Sequence, residues 1–103
     1  MDEALQTYID MVLKSPEYLE YVRQRERVLA VPGLKAQVDE FRIRNYQMQV
    51  SRDMVFEMIE AFEREFADFR DNPIVDSFLA AELAFCRMMQ EHYGKVLDAV
   101  NFY

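Results

Sequence analysis

The sequence predicts an all-α protein, an antiparallel helical bundle of about four to five helices that associates with further copies of itself. Three observations carry this expectation. The 103 residues include only 2 Gly and 3 Pro, too few breakers for the turns that hairpins and sandwiches require. Apolar residues recur at helical spacing along nearly the whole chain, the pattern of helices with one buried face. Helix-start signals, a capping side chain followed by proline, stand at Ser15-Pro16 and Asn72-Pro73. A chain of this length has room for one domain, over residues 1–103, with one modest core.

Leu5, Tyr8, Ile9 and Val12 mark a short first helix, with Asp2 and Glu3 suited to the positive end of its dipole. It should end near Lys14, because Ser15-Pro16-Glu17 reads as a cap, a first-position proline and a first-turn acid. The second helix carries Tyr18, Leu19, Val22, Val28 and Leu29 around a wholly polar middle, "RQRER", and runs to about Ala30. Val31 precedes Pro32, which biases it away from helical angles, so "AVPGL" is a tight connection.

From Leu34 the apolar steps alternate between four and three: Leu34, Val38, Phe41, Asn45, Met48, Arg52, Val55, Ile59, Phe62, Phe66 and Phe69. Taken literally, this heptad seam is one long third helix of about 36 residues, about 54 Å from end to end. The other reading breaks the seam at "VSRDM", where Ser51 or Asp53 could cap a fourth helix, although no Gly or Pro forces a turn. Either way Phe62, Phe66 and Phe69 form an apolar stripe.

Asn72-Pro73 starts a long last helix with two apolar stripes. One holds Val75, Leu79, Glu82, Cys86, Met89, Tyr93, Val96 and Val100, and the other Ile74, Phe78, Ala81, Phe85 and Met88. Together they exceed the ~100° arc that a helix packed on one side buries. Self-association, as a two-fold dimer, would cover the surplus. The expected interface takes Phe62, Phe66 and Phe69 from one stripe and Val75, Phe78, Leu79, Glu82, Phe85, Met89 and Tyr93 from the last helix.

The net charge of -7 repels a phosphate backbone and argues against direct nucleic-acid binding. The nearest basic group, Arg23, Arg25 and Arg27, is interleaved with Gln24 and Glu26 and reads as a solvated helix face. A single cysteine suits a reducing compartment, the first residues carry acids where a secretory signal carries bases, and no apolar run approaches a membrane span. A cytoplasmic location is expected.

No nucleophile, base or metal ligands cluster in the sequence. His92 is the only histidine, and Glu91 beside it has the wrong spacing for a shared metal. Glu57, Glu60, Glu63, Glu65 and Asp68 read as a solvated helix face, with Arg64 placed to pair with Glu60. Cys86, between Phe85 and Arg87 on an apolar stripe, reads as core. Glu82 interrupts the same stripe and calls for a cationic partner, with Arg42, Arg44 and Arg52 as candidates; with Asn45 and Arg52 it would fix helix register.

These stretches together, "SPEYLEYVRQRERVL" before a Pro-Gly turn, "LKAQVDEFRIRNYQMQ", and above all "NPIVDSFLAAELAFCRM", resemble the YlbF/YmcA family of small bacterial helical proteins. The resemblance runs from about Leu5 to about Val100. It implies an all-α, self-associating regulator without enzymatic activity, a turn in the region of "VSRDM", and partners among RNase Y and YlbF/YmcA/YaaT-like proteins in mRNA processing, competence, sporulation and biofilm formation. Relatives that hold an iron-sulfur cluster have a cysteine-rich extension. This chain ends Asn101-Phe102-Tyr103 and has Cys86 alone, against the four thiolates a [4Fe-4S] cluster takes, so no cofactor is expected.

The leading functional expectation is therefore a protein-binding adaptor, with Arg23 and Arg27 as candidate docking groups. Two alternatives stand beside it. One is a structural helical domain without a client; the other is a sensor whose Met54, Met58, Met88 and Met89 line an apolar pocket.

Overall fold

The computed structural model describes residues 2–50 and 56–100. Among these the chain forms helices α1 (Glu3–Leu13), α2 (Pro16–Leu29), α3 (Leu34–Val50), α4 (Phe56–Glu65), α5 (Ala67–Arg70) and α6 (Pro73–Val100), with no strand. The all-α expectation holds.

Helix boundaries follow the capping chemistry. The Asp2 carboxylate accepts from the Ala4 N–H at 2.8 Å and opens α1. The Ser15 hydroxyl accepts from the Tyr18 N–H at 3.2 Å while donating to the Val12 carbonyl at 2.7 Å, so one side chain closes α1 and opens α2. After α2 the chain turns through Val31-Pro32-Gly33, where Gly33 has φ 79°, a left-handed conformation that a side chain disfavours. The Asn72 side-chain carbonyl accepts from the Ile74 N–H at 2.9 Å and opens α6.

Two compact units divide the chain: Met1–Arg25 with Phe78–Tyr103, and Glu26–Ser77. In the first, α1 and the start of α2 follow α6 in the opposite direction. Tyr8 meets Met89 and His92, Tyr18 meets Phe85, and Tyr21 meets Phe78 and Phe85, so contacts descend α6 as the N-terminal helices advance. Val12, Phe78 and Ala81 are buried here.

In the second unit, α3 and α4 form an antiparallel hairpin. A single helix would hold Phe41 and Phe62 about 31 Å apart, yet their ring centroids are 5.6 Å apart and stacked. Phe41 also meets Phe66 at 5.4 Å and Phe69 at 5.3 Å. The seam therefore closes on itself, and the one-helix reading is excluded. The proposed turn at "VSRDM", with its capping candidates Ser51 and Asp53, lies outside the described residues from Ser51 on.

The seam also reads unbroken through Phe69, whereas the structure interrupts it at Phe66, with φ -105° and ψ 11° between α4 and α5. The Arg70 N–H still reaches the Phe66 carbonyl at 2.9 Å, so the path bends without losing that bond. Packing of the buried Phe66 ring against Phe41, Phe62 and Phe69 fixes the bend where no breaker stands. Val28, Leu34, Val38 and Val75 are the other buried apolar residues of this unit, Val75 completely so.

Candidate functional site

The two stripes of α6 meet different fates. Phe78 and Ala81 are buried, and Phe85 packs edge-on against Tyr18 with centroids 5.3 Å apart. The other stripe turns outward toward its C-terminal end: Val75 is buried, Leu79, Glu82 and Met89 are half-buried, and Cys86, Tyr93, Val96 and Val100 are exposed, as is Leu83 beside the stripe. Cys86, expected in the core, is exposed. It is one residue past Phe85, and a step of about 100° around the helix carries it off the face that meets α2.

The residues expected at an oligomer interface separate accordingly. Phe62, Phe66, Val75 and Phe78 are enclosed by their own chain, and Phe69 and Phe85 are half-buried within ring clusters. Met89 is half-buried, with its sulfur 4.0 Å from the Tyr8 hydroxyl. Leu79, Glu82 and Tyr93 remain on the outer side. Sequence periodicity shows that a helix face is apolar, but it does not show whether the same chain or another covers it.

The hairpin is tied electrostatically at Arg44. Its two terminal nitrogens donate to the two carboxylate oxygens of Glu65, and its guanidinium lies over the Phe66 ring, 5.4 Å from the centroid. The hydrogen bond from Arg44 holds the Glu65 carboxyl below its ordinary range, and the same bond raises Arg44. Arg44, one of the partners expected for Glu82, is thus engaged elsewhere; Arg52, another, lies outside the described residues. On the exposed side of α2, Arg23 pairs with Glu20 at 2.5 Å, and Arg27 is exposed.

His92 faces α1, with Nδ1 3.0 Å from the Tyr8 hydroxyl and the two rings edge to face at 5.8 Å. Among the described residues no group of three or more His, Cys, Asp or Glu side chains could hold a metal ion. The methionines suggested for a ligand pocket do not converge. Met58 lines a cleft of about 380 Å³ with Met48, Phe62 and Arg44; Met88 lines one of about 600 Å³ with Met11; Met89 lines one of about 290 Å³ with Tyr8 and Val96. Met54 lies outside the described residues.

A third apolar face escaped the sequence reading. Ile43, Tyr46 and Val50 project from α3 on the side opposite Phe41 and Met48, with 58%, 66% and 58% of their surface exposed. Their spacing of three and four was legible as a helix stripe, but the stronger seam of Leu34, Val38 and Phe41 masked it. α3 is consequently apolar on two opposite faces.

An all-α chain with exposed apolar faces on two helices and no cluster of His, Cys, Asp or Glu ligands among its described residues is, in class, a small helical protein whose notable surfaces are those faces. Over residues 2–101 the chain matches the family described as control of competence regulator ComK, YlbF/YmcA, and it belongs to that family. The match takes in all the helices named above, and the family is one of regulators. No individual curated protein and no solved structure matches the chain. Among the described residues no helix is long and apolar enough to cross a membrane.

Proposed function

We propose that this chain is a non-enzymatic cytoplasmic adaptor that pairs with a second copy through the outer stripe of α6 and regulates by binding other proteins. The observation that carries the reading is that stripe: Tyr93, Val96 and Val100 stand exposed along one helix. Covering what remains exposed of these side chains yields about 1 kcal/mol each, so a two-fold contact that uses the stripe twice yields on the order of 6 kcal/mol. That falls within the cost of association, about 4 to 15 kcal/mol. A single stripe meeting a polar surface yields too little.

Membership in a family of competence regulators supports a regulatory role. The partners that fit are RNase Y and YlbF/YmcA/YaaT-like proteins, with RNA processing and the control of competence, sporulation or biofilm as the setting. The test is capture of the tagged chain from its own cells after nuclease treatment, read by mass spectrometry. Recovery of RNase Y or YlbF/YmcA/YaaT-like proteins is the expected result. Recovery of the chain alone would contradict the adaptor role and leave a structural, self-associating domain.

A further inference from the structure

We infer that Met11, Met88 and His92 form a binding site for Cu(I), a function apart from the adaptor reading. Among the described residues no three His, Cys, Asp or Glu side chains gather as metal ligands, but thioethers gather beside the one histidine of the sequence. Met11, Met88 and His92 line a single cleft of about 600 Å³ where α1, the start of α2 and α6 meet. Met88 and His92 are four apart on α6, so one stands a turn from the other on the same face. Met11 follows Tyr8 by three on α1, which runs opposite to α6. The contact of Tyr8 with His92 therefore brings Met11, one turn on, to the level of Met88.

The donor set selects the ion. Thioether sulfur is soft and uncharged, and with an imidazole nitrogen it favours Cu(I), a filled-shell ion satisfied by few ligands, over Mg²⁺ and Ca²⁺. Hard cations take several oxygens, and the cleft offers only Glu17 and Glu91, the latter already held by Lys95 at 3.0 Å. With Lys14 as the one cation of the lining, the two carboxylates leave a surplus of negative charge that suits a monovalent ion. The imidazole is also oriented. Nδ1 lies 3.0 Å from the Tyr8 hydroxyl, and Tyr8 belongs to the lining of the smaller cleft with Met89 and Val96. When Nδ1–H donates to that hydroxyl, Nε2 keeps its lone pair on the other side of the ring, the outer-sphere arrangement that fixes the tautomer and direction of a metal-bound histidine. Met11 is 51% exposed, so it fills no gap in the core. The site takes one ligand from α1 and two from α6, and the bound ion ties the first helix to the last.

The test titrates the full chain with Ag(I), a redox-stable stand-in for Cu(I), and measures Cu(I) affinity by competition with a chromophoric chelator. A Cys86→Ser background removes the exposed thiol, which would take either ion by itself. One equivalent of Ag(I) should shift the methyl signals of Met11 and Met88 together with the His92 ring signals, and raise the thermal midpoint. Met11→Leu/Met88→Leu conserves side-chain volume and should keep the helicity while weakening Cu(I) about 100-fold; Tyr8→Phe, which frees the ring, should weaken it about ten-fold. Affinity unchanged in the double leucine variant, Ag(I) shifts confined to methionines elsewhere in the chain, or Zn(II) bound at these groups as tightly as Cu(I) would overturn the inference.

Discussion

Replacing Phe62 with alanine separates an internal role from an interfacial one. The ring is buried by its own chain, stacked on Phe41 at 5.6 Å and tilted against Phe66 at 5.0 Å. Removing a buried phenylalanine costs about 3 to 5 kcal/mol, through lost transfer free energy and the cavity left behind. The two ring pairs, each worth about 0.5 to 1.5 kcal/mol beyond area, place Phe62→Ala toward the upper part of that range. A domain this size has about 5 to 15 kcal/mol of stability, and each kcal/mol shifts Tm by about 4 to 8 °C. A fall of about 12 °C or more is therefore the expectation, from the lower bound of both ranges. The assay is thermal and urea unfolding followed at the helical circular dichroism band, at several matched protein concentrations, because association makes apparent stability depend on concentration. The drop should be similar at every concentration. A loss below about 1 kcal/mol, or one that appears only where the oligomer forms, would refute the internal role and restore Phe62 to the interface.

Glu65→Gln tests the hairpin ion pair through pH. The Glu65 carboxyl is held below its ordinary value of 4.5 by the Arg44 hydrogen bond, so its contribution is present above that value and is lost as pH falls through the lowered one. Urea midpoints of parent and variant should differ steadily from about pH 7 to pH 5 and converge in more acid solution; a gap that persists there contradicts the pairing. Gly33→Ala, at φ 79° with open space around the added methyl, should cost about 1 to 2 kcal/mol from backbone strain alone, read as a shifted urea midpoint. Asn72→Ala should cost about 1 kcal/mol through the lost cap on Ile74, measured in the same way. Exposed Cys86 should react with a maleimide in the folded chain at low concentration and become protected as concentration rises, because it lies on the outer stripe of α6; a rate independent of concentration would count against that stripe as the contact.

Much of the fold was legible because the chain announces its helix starts chemically. Ser15-Pro16, Pro32-Gly33 and Asn72-Pro73 combine a capping side chain or a left-handed glycine with a proline, and each boundary follows from local bonds that need no tertiary partner. The reversal between α3 and α4 was legible only as an alternative, a break at "VSRDM" that the family resemblance implies, since a heptad pattern runs through it without a breaker; what decides it is the closure of Phe41 onto Phe62, a contact between residues far apart in sequence. The bend at Phe66 is invisible for the same reason.

The candidate site was read in part. Both stripes of α6 could be drawn from spacing, but a stripe records only that a face is apolar. Phe78 and Phe85 are satisfied by Tyr18 and Tyr21 from α2, while Tyr93 and Val96 on the neighbouring face remain exposed. Cys86 was misplaced because its neighbour Phe85 is packed, and one helical step separates packed from exposed. The Ile43, Tyr46 and Val50 stripe could have been found by testing α3 for a second face once the first was assigned.

The central claim is that the outer stripe of α6 joins copies of the chain, and sedimentation velocity of the parent beside a Tyr93→Glu/Val96→Glu variant tests it most directly. Both residues are exposed in the single chain, so the variant should keep its helicity. The account predicts a dimer for the parent and a monomer for the variant at the same micromolar concentration. A parent that sediments as a monomer, or a variant that remains a dimer, would contradict it.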